Sequence, residues 1–324
     1  MADPFYDARN ALALGNYHQA VAEASGTKTD ARKAEDIAAF HAEKEVLLAL
    51  AQTGLGQGDA VVAQLKAATC PILVAVREWA VFCSAMKNLS GDIQSDPVIC
   101  MQLKKLTEAA EVIDPARTQI AVLAAAALLA VGDNAGALKL SKEWLNDQRH
   151  SRENSLLRLH MELRVIVVEA LLRMGRTEMA RSEVKAMEQA DEESMLTVLC
   201  SGITNLYEGI KTKEAYQTAL RRFKELTMSC GQSVLASNLT ALAQIQLGEY
   251  TEAERTLLDV LAMKSGDSDT TANLAVISAH SGKGLDSTGL YTRQAVATSG
   301  PWSRSFSAAS AALDAAIEEF TASA

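Results

Sequence analysis

A helix can offer two histidines to one metal ion only when they stand three or four residues apart. The histidines of this chain are His18, His41, His150, His160 and His280, none at that spacing and none beside a carboxylate cluster. His280 lies in an apolar run, where an imidazole serves packing or an interface more often than ligation. Asp191-Glu192-Glu193 gathers three carboxylates, but neighbouring side chains on a helix diverge, so the run reads as stabilising a helix N-terminus. Gly282-Lys283-Gly284 lacks the upstream glycine and the following hydroxyl residue of a phosphate-binding loop, and no Gly-x-Ser-x-Gly elbow occurs. The cysteines at 70, 83, 100, 200 and 230 are odd in number and never two residues apart, which predicts free, buried thiols rather than a disulfide framework or a zinc site. No catalytic residue, metal ligand or cofactor motif is expected.

Charge excludes a further class. The net charge is −9 and the isoelectric point is near 5.2, whereas a nucleic-acid binder needs a basic face to displace counterions. Lys104-Lys105 and Arg221-Arg222-Lys224 are short enough to be solvated helix faces. The first residues, Met1-Ala2-Asp3-Pro4, are acidic and carry no apolar signal core. The longest apolar run, Ile120–Val131, is too short to span a bilayer and reads as an alanine-rich core helix. Any membrane association is expected to be peripheral and indirect.

The elements that would have to position a site are helices. Only five prolines occur, at 4, 71, 97, 115 and 301, and alternation at period two is hard to find. One unit recurs: an apolar helix, a glycine, and five residues later a small residue opening a second helix. It stands as Gly15 to Ala20, Gly58 to Ala63, Gly132 to Ala137, Gly175 to Ala180 and Gly248 to Ala253. A longer copy runs from Gly209 to Ala215, a degenerate one starts at Gly91, and a last turn sits at Gly282. Steps between these glycines range from 33 to 43 residues, near the period of tetratricopeptide (TPR) repeats. The glycine ends the first helix in a left-handed conformation, and the small residue lets antiparallel helices approach. An all-α, TPR-like solenoid is therefore expected over residues 1–299. Gly300-Pro301 breaks the pattern, and residues 300–324 are expected to form a capping helix and tail, with Ser305–Phe320 covering the open end. Asn146–Asn154 is polar without apolar period and reads as an exposed connection.

Three stretches go beyond a generic repeat. Phe5-Tyr6-Asp7-Ala8-Arg9-Asn10-Ala11 runs into Gly15-Asn16-Tyr17. Ala180-Arg181-Ser182-Glu183 is followed by Met187, Asp191-Glu192-Glu193, Leu196-Thr197 and Leu199. Asn273-Leu274-Ala275-Val276 precedes Ser278, His280 and Gly282-Lys283. In order and spacing over nearly the whole chain these resemble the coatomer epsilon family of the COPI vesicle coat. The resemblance implies a non-enzymatic subunit that binds and stabilises the C-terminal domain of the coatomer alpha subunit, alongside the other coatomer subunits. It implies a repeat array curved into a bracelet around an extended, hairpin-like segment of that partner. It also implies a cytoplasmic protein, peripheral on Golgi membranes and coated vesicles, serving Golgi-to-ER and intra-Golgi transport.

Recognition would then use the inner helices of the array. Periodicity in the clearest units selects Glu162, Val165, Glu169 and Arg173, then Asn238, Leu242 and Gln246, then Asn273 and Ile277 as groove-facing residues. The alternative is a generic TPR adaptor or co-chaperone gripping a peptide or another protein. A grip on a free C-terminal carboxylate needs lysine beside asparagine on successive inner helices, and the helix of Asn273 and the inner helix before it carry no lysine.

Overall fold

Alanine- and leucine-rich segments without internal proline fold as helices, and glycine turns decide where each one stops. The computed structural model describes residues 3–323 other than 90, 92, 147–156, 211, 283 and 299, and among these it holds seventeen α-helices and no strand. They come in pairs: α1 (Tyr6–Ala13) with α2 (Tyr17–Gly26), α3 (Ala34–Gly54) with α4 (Gly58–Gln64), α5 (Pro71–Lys87) with α6 (Pro97–Ala110), and α7 (Thr118–Ala130) with α8 (Asn134–Asn146). The second half continues with α9 (Leu157–Arg173) and α10 (Thr177–Ala190), α11 (Met195–Glu208) and α12 (Lys213–Cys230), α13 (Val234–Leu247) and α14 (Tyr250–Met263), α15 (Ser268–His280) and α16 (Leu285–Ala297), and a terminal α17 (Pro301–Ser323). Prolines open α5, α6 and α17, where a missing N–H costs nothing. Asp96, Ser233 and Asp267 cap α6, α13 and α15 by accepting hydrogen bonds from backbone N–H groups.

Five of the turns within pairs close in the same way. At Gly248 the glycine N–H donates to the Ile245 carbonyl and the Glu249 N–H donates to the Gln244 carbonyl, with Gly248 at φ 82°. This two-bond closure recaptures carbonyls the helix end leaves unpaired. Gly15, Gly56, Gly132 and Gly175 repeat it. The residue five places on, Ala20, Val61, Ala137, Ala180 or Ala253, is buried in every case. The second unit is thus two residues out of the expected register. Gly56, not Gly58, makes the turn, and Val61 replaces the exposed Ala63 at the buried position. Gly58 lies inside α4, where an added Cβ would come within 3.1 Å of the Ala80 carbonyl oxygen, so this glycine serves close helix packing. The Gly209 turn also departs from the rule. Its φ is −58°, and the Tyr216 ring packs where a side chain would stand.

Within each pair the two helices pack along their length, and the first helices of successive pairs also pack side by side, from α1 on α3 through α9 on α11 and again α13 on α15. The second helices make no comparable contacts with one another. That asymmetry bends the array, with odd-numbered helices inside and even-numbered helices outside. Trp144, fully buried on α8, donates its indole N–H to the Ala110 carbonyl at 3.0 Å and ties two outer helices together. Buried Glu183 on α10 accepts from Lys142 on α8 and Arg164 on α9, and buried Glu208 on α11 pairs with Arg181 on α10. Burial would penalise these two carboxylates, and each is matched by a cation from a neighbouring helix.

The bend carries the chain back onto itself. Ala13 and Leu14, at the turn of the first pair, join the apolar cluster of α9 to α13 that includes Leu226, Leu239 and Ala243. The Asn16 side-chain amide donates to the Gln232 carbonyl at 3.4 Å. These contacts fall where the side-by-side packing of inner helices lapses between α11 and α13.

The terminal helix α17 is held only at its start. Ser303 is buried, Trp302 stacks on Phe306 with ring centroids 5.0 Å apart, and the contacts of α17 are with α15 and α16. From Ser305 to Ala322 every residue is exposed, including Leu313, Ile317 and Phe320. The helix therefore does not lay its apolar side over the end of the array as expected. Of the polar connection expected at 146–154, Asn146 ends α8 and the rest lies outside the described residues.

Candidate partner-binding groove

The inner surface is built by positions counted back from each turn glycine. Six residues before the glycine stand Glu169, Leu242 and Val276, and thirteen before it stand Glu162, Leu235 and Asp269. On α13 and α15 this register leaves apolar positions partly open to solvent: Leu235 is 38% exposed, Val276 39%, and Leu242, at the same register as Val276, is half-buried. Gln246 is exposed beside them. His280, at the end of α15, is exposed and stacks on Tyr250 of α14 with ring centroids 5.4 Å apart.

Two of the expected residues do not face the groove. Ile277 is 0% exposed and belongs to the core with Ala241, Ile245, Ala253, Leu257 and Leu274. The expected register on α15 was one residue late, and Val276 holds the inner position. Asn238 is 6% exposed and is consumed in packing. Asn273 donates to the Asn238 side-chain oxygen at 3.2 Å, Asn238 donates to Thr270 Oγ1 at 2.9 Å, and Thr270 donates to Asp267 Oδ2 at 2.9 Å. Lys264 closes the chain on Asp267 Oδ1 at 2.9 Å. Burial pushes the Asp267 carboxyl up, but the bonds from Lys264 and Thr270 outweigh it and hold the group below the usual carboxylate range. Burial and the adjacent Asp267 charge raise the carboxyl of Asp269. The network fastens α13 to α15, and Asn273 remains partly exposed at its edge.

The α9 residues form a separate, charged group. Glu169 pairs with Arg173 one turn later, and Arg173 Nη1 also donates to the Leu129 carbonyl at 2.8 Å, at the C-terminal end of α7, where a cation is favoured. Val165 packs against the core from the inner side, and Glu162 is half-exposed. Leu242, Gln246 and Asn273 stand on the adjoining helices α13 and α15, and the α9 set lies apart from them, since α9 packs on neither helix. Leu235, Val276 and Asp269 were missed from the sequence. The constant offset from the turn glycine was the signal that could have found them.

Among the described residues no three His, Cys, Asp or Glu side chains gather as a metal site, and no helix is long and apolar enough to cross a membrane. Asp191 accepts from the Ser194 N–H at 3.0 Å in the turn leading into α11. Burial pushes the thiols of Cys83 and Cys200 up to about 12, with Glu169 and Glu183 adding to the shift at Cys200, so neither is a nucleophile. Neither α13 nor α15 carries a lysine.

Comparison with known proteins agrees with the fold and assigns the family. The chain superposes on the Cut9–Hcn1 hetero-tetramer of the APC/C with a TM-score of 0.54 at 14% identity, over 90% of this chain and 52% of the other. It matches a tetratricopeptide repeat protein from Parabacteroides merdae with a TM-score of 0.50 at 13% identity, over 75% of this chain and 94% of the other. These likenesses establish a TPR-type helical array. In sequence, coatomer subunit epsilon-1 of Arabidopsis thaliana is 27% identical over 283 residues, covering 87% of this chain and 85% of the relative. Coatomer subunit epsilon of Caenorhabditis elegans is 27% identical over 281 residues, covering 85% and 84%. The family model described as coatomer epsilon subunit matches residues 1–321, and the chain belongs to that family.

Proposed function

We propose that this COPI coat subunit grips the C-terminal domain of the coatomer alpha subunit with its inner helices and stabilises that domain within the coat. The protein is structural, not an enzyme. The observation that carries the reading is the inward strip of Leu235, Leu242 and Val276, partly open on α13 and α15 in a wall without catalytic groups. An obligate interface of this kind buries upwards of ~2,000 Å² around an apolar centre, and the strip supplies such a centre. Its setting would be the cytoplasmic face of Golgi membranes and coated vesicles in Golgi-to-ER and intra-Golgi transport, with contact to lipid only through the coat.

Titration calorimetry with the purified C-terminal domain of a coatomer alpha subunit tests this reading. The unmutated chain is expected to bind one to one. Leu242→Asp and Val276→Asp each place a charge where the partner would desolvate it, and each should weaken binding by roughly 2–4 kcal/mol. Thermal melts of both variants establish that the array still folds. No binding by the unmutated chain defeats the reading. Binding that ignores both aspartates spares the alpha subunit as partner and discards this strip.

A further inference from the structure

A helix that lies on a core shows a broad apolar stripe, whereas a helix that pairs with one other helix shows a narrow seam. The seam of α17 is narrow. Phe306, Leu313 and Phe320 recur every seven residues, and Ala309 and Ala316 stand three places after the first two of them. With Trp302 four places before Phe306, residues 302–320 follow the alternating spacing of a coiled coil, large at one core position and mostly alanine at the other. The helix is also presented to solvent. Its first turn is fixed to the array, where buried Ser303 accepts from the Gly300 N–H at 3.2 Å and donates to the Gly300 carbonyl at 3.1 Å. From Ser305 to Ala322 it is exposed, with Phe306 at 41%, Leu313 at 62% and Ile317 at 52%. At 1.5 Å per residue that length makes a rod of roughly 27 Å.

We propose that α17 is a self-association element: two copies of this chain pair their α17 helices antiparallel about a two-fold axis, with large residues of one seam seated on alanines of the other. Shape selects a second copy as the occupant. In an antiparallel pair the two kinds of core position face each other, so Leu313 meets Ala309 of the second copy and Phe306 meets its Ala316. Parallel pairing would stack large on large, leave gaps at the alanine layers and bring both arrays to the same end. Charge agrees. Asp314 and Glu318 lie on the side of the helix away from the seam, which is flanked by Ser305, Ser310 and Ala312, so two acidic chains meet without opposed carboxylates. Glu319, at the seam's edge, falls opposite Ser305 of the second copy. A lipid surface would favour Lys and Arg on the polar side, and every charged residue after Arg304 is acidic. Area sets the strength. Phe306, Leu313, Ile317 and the alanines between them offer on the order of 500 Å² a copy, or about 1,000 Å² for the pair, the lower end for a specific interface and suited to a reversible one. A coat that repeats one subunit over a surface needs no stronger contact, because neighbouring copies are held at high effective concentration. This pairing is independent of where the alpha subunit binds.

Sedimentation equilibrium of the full chain from about 1 to 200 µM, the span of a micromolar equilibrium, tests the pairing. The mass is expected to rise from 34.6 kDa toward twice that value. Leu313→Asp, and separately a chain ending after Arg304, should stay single throughout, with thermal midpoints at the lowest concentration equal to that of the full chain. Orientation is read by disulfide formation with Cys70→Ser, Cys100→Ser and Cys230→Ser, leaving only the unreactive Cys83 and Cys200 as native thiols. Ser310→Cys lies beside its own copy near the two-fold axis and should link two chains at least about tenfold faster than Ala311→Cys on the far side of the helix. A chain that stays single at the highest concentration overturns the proposal. A dimer that survives both Leu313→Asp and the truncation lies elsewhere and overturns it too. Equal linking rates overturn the antiparallel seam. Midpoints lowered in both variants place the seam on the chain's own array. A single chain whose binding to the alpha C-terminal domain weakens on Leu313→Asp assigns α17 to that domain instead, and either result overturns self-pairing.

Discussion

Single residues in this array act mainly by being small or by being glycine. Ala180 and Ala253 are fully buried where the second helix of a pair crosses the first, and each is the residue five places after a turn glycine. A larger side chain at that point must push two helices apart. Ala253→Leu is expected to lower the thermal midpoint by an amount equivalent to ~1–3 kcal/mol, measurable by circular dichroism. An unchanged midpoint would mean that α13 and α14 are not paired as described. The same reasoning was open to the sequence for four of the five turns. It failed in the second unit because Gln57 is flanked by two glycines, and only one of them is left-handed. Composition cannot say which of Gly56 and Gly58 turns the chain. The neighbouring α5, which crowds Gly58 with Ala80 and Ser84, decides it.

Elements differ in how much of the array depends on them. α11 buries ten of its fourteen residues, because it is flanked by α9, α10 and α12 and lies where the first pair returns to the ring. α17 is the opposite case, with buried Ser303 near its start and an exposed remainder. Its apolar side, from Phe306 through Leu313 to Ile317, was legible as amphipathic, and amphipathicity was read as burial against the array. The periodicity of a helix specifies a face and not what meets it. A chain ending after Arg304 should therefore melt within about 0.5 kcal/mol of the full chain, as for surface changes elsewhere. A larger loss in differential scanning calorimetry would show that α17 packs more extensively than described.

At the scale of the whole molecule, the return of the first pair changes the mechanics. An open solenoid is quasi-one-dimensional, so a cut at one end is felt only by the adjacent unit. In a closed ring the cut is felt at both sides of the junction. Deleting residues 1–26 should therefore speed hydrogen exchange in α12 and α13 as well as in α3, with α6 and α7 unaffected. Acceleration confined to α3 would show that the closure contributes nothing to stability.

The sequence by itself determined what is local: the helical class, the pairing of helices, most of the turns, the absence of a recognisable catalytic motif, and the family resemblance. These follow from glycine, proline and apolar spacing within a window of some forty residues, and each turn is closed by hydrogen bonds between residues at most five apart. Tertiary structure alone decided which side of each helix is left open. The inner strip of Leu235, Leu242 and Val276, the burial of Ile277 one position away, and the use of Asn238 as a tie to Thr270 all depend on how α13 meets α15. The ring closure is further still from local information. Leu14 and Gln232 carry no pattern relating them, and their meeting is the accumulated result of small rotations at every junction between.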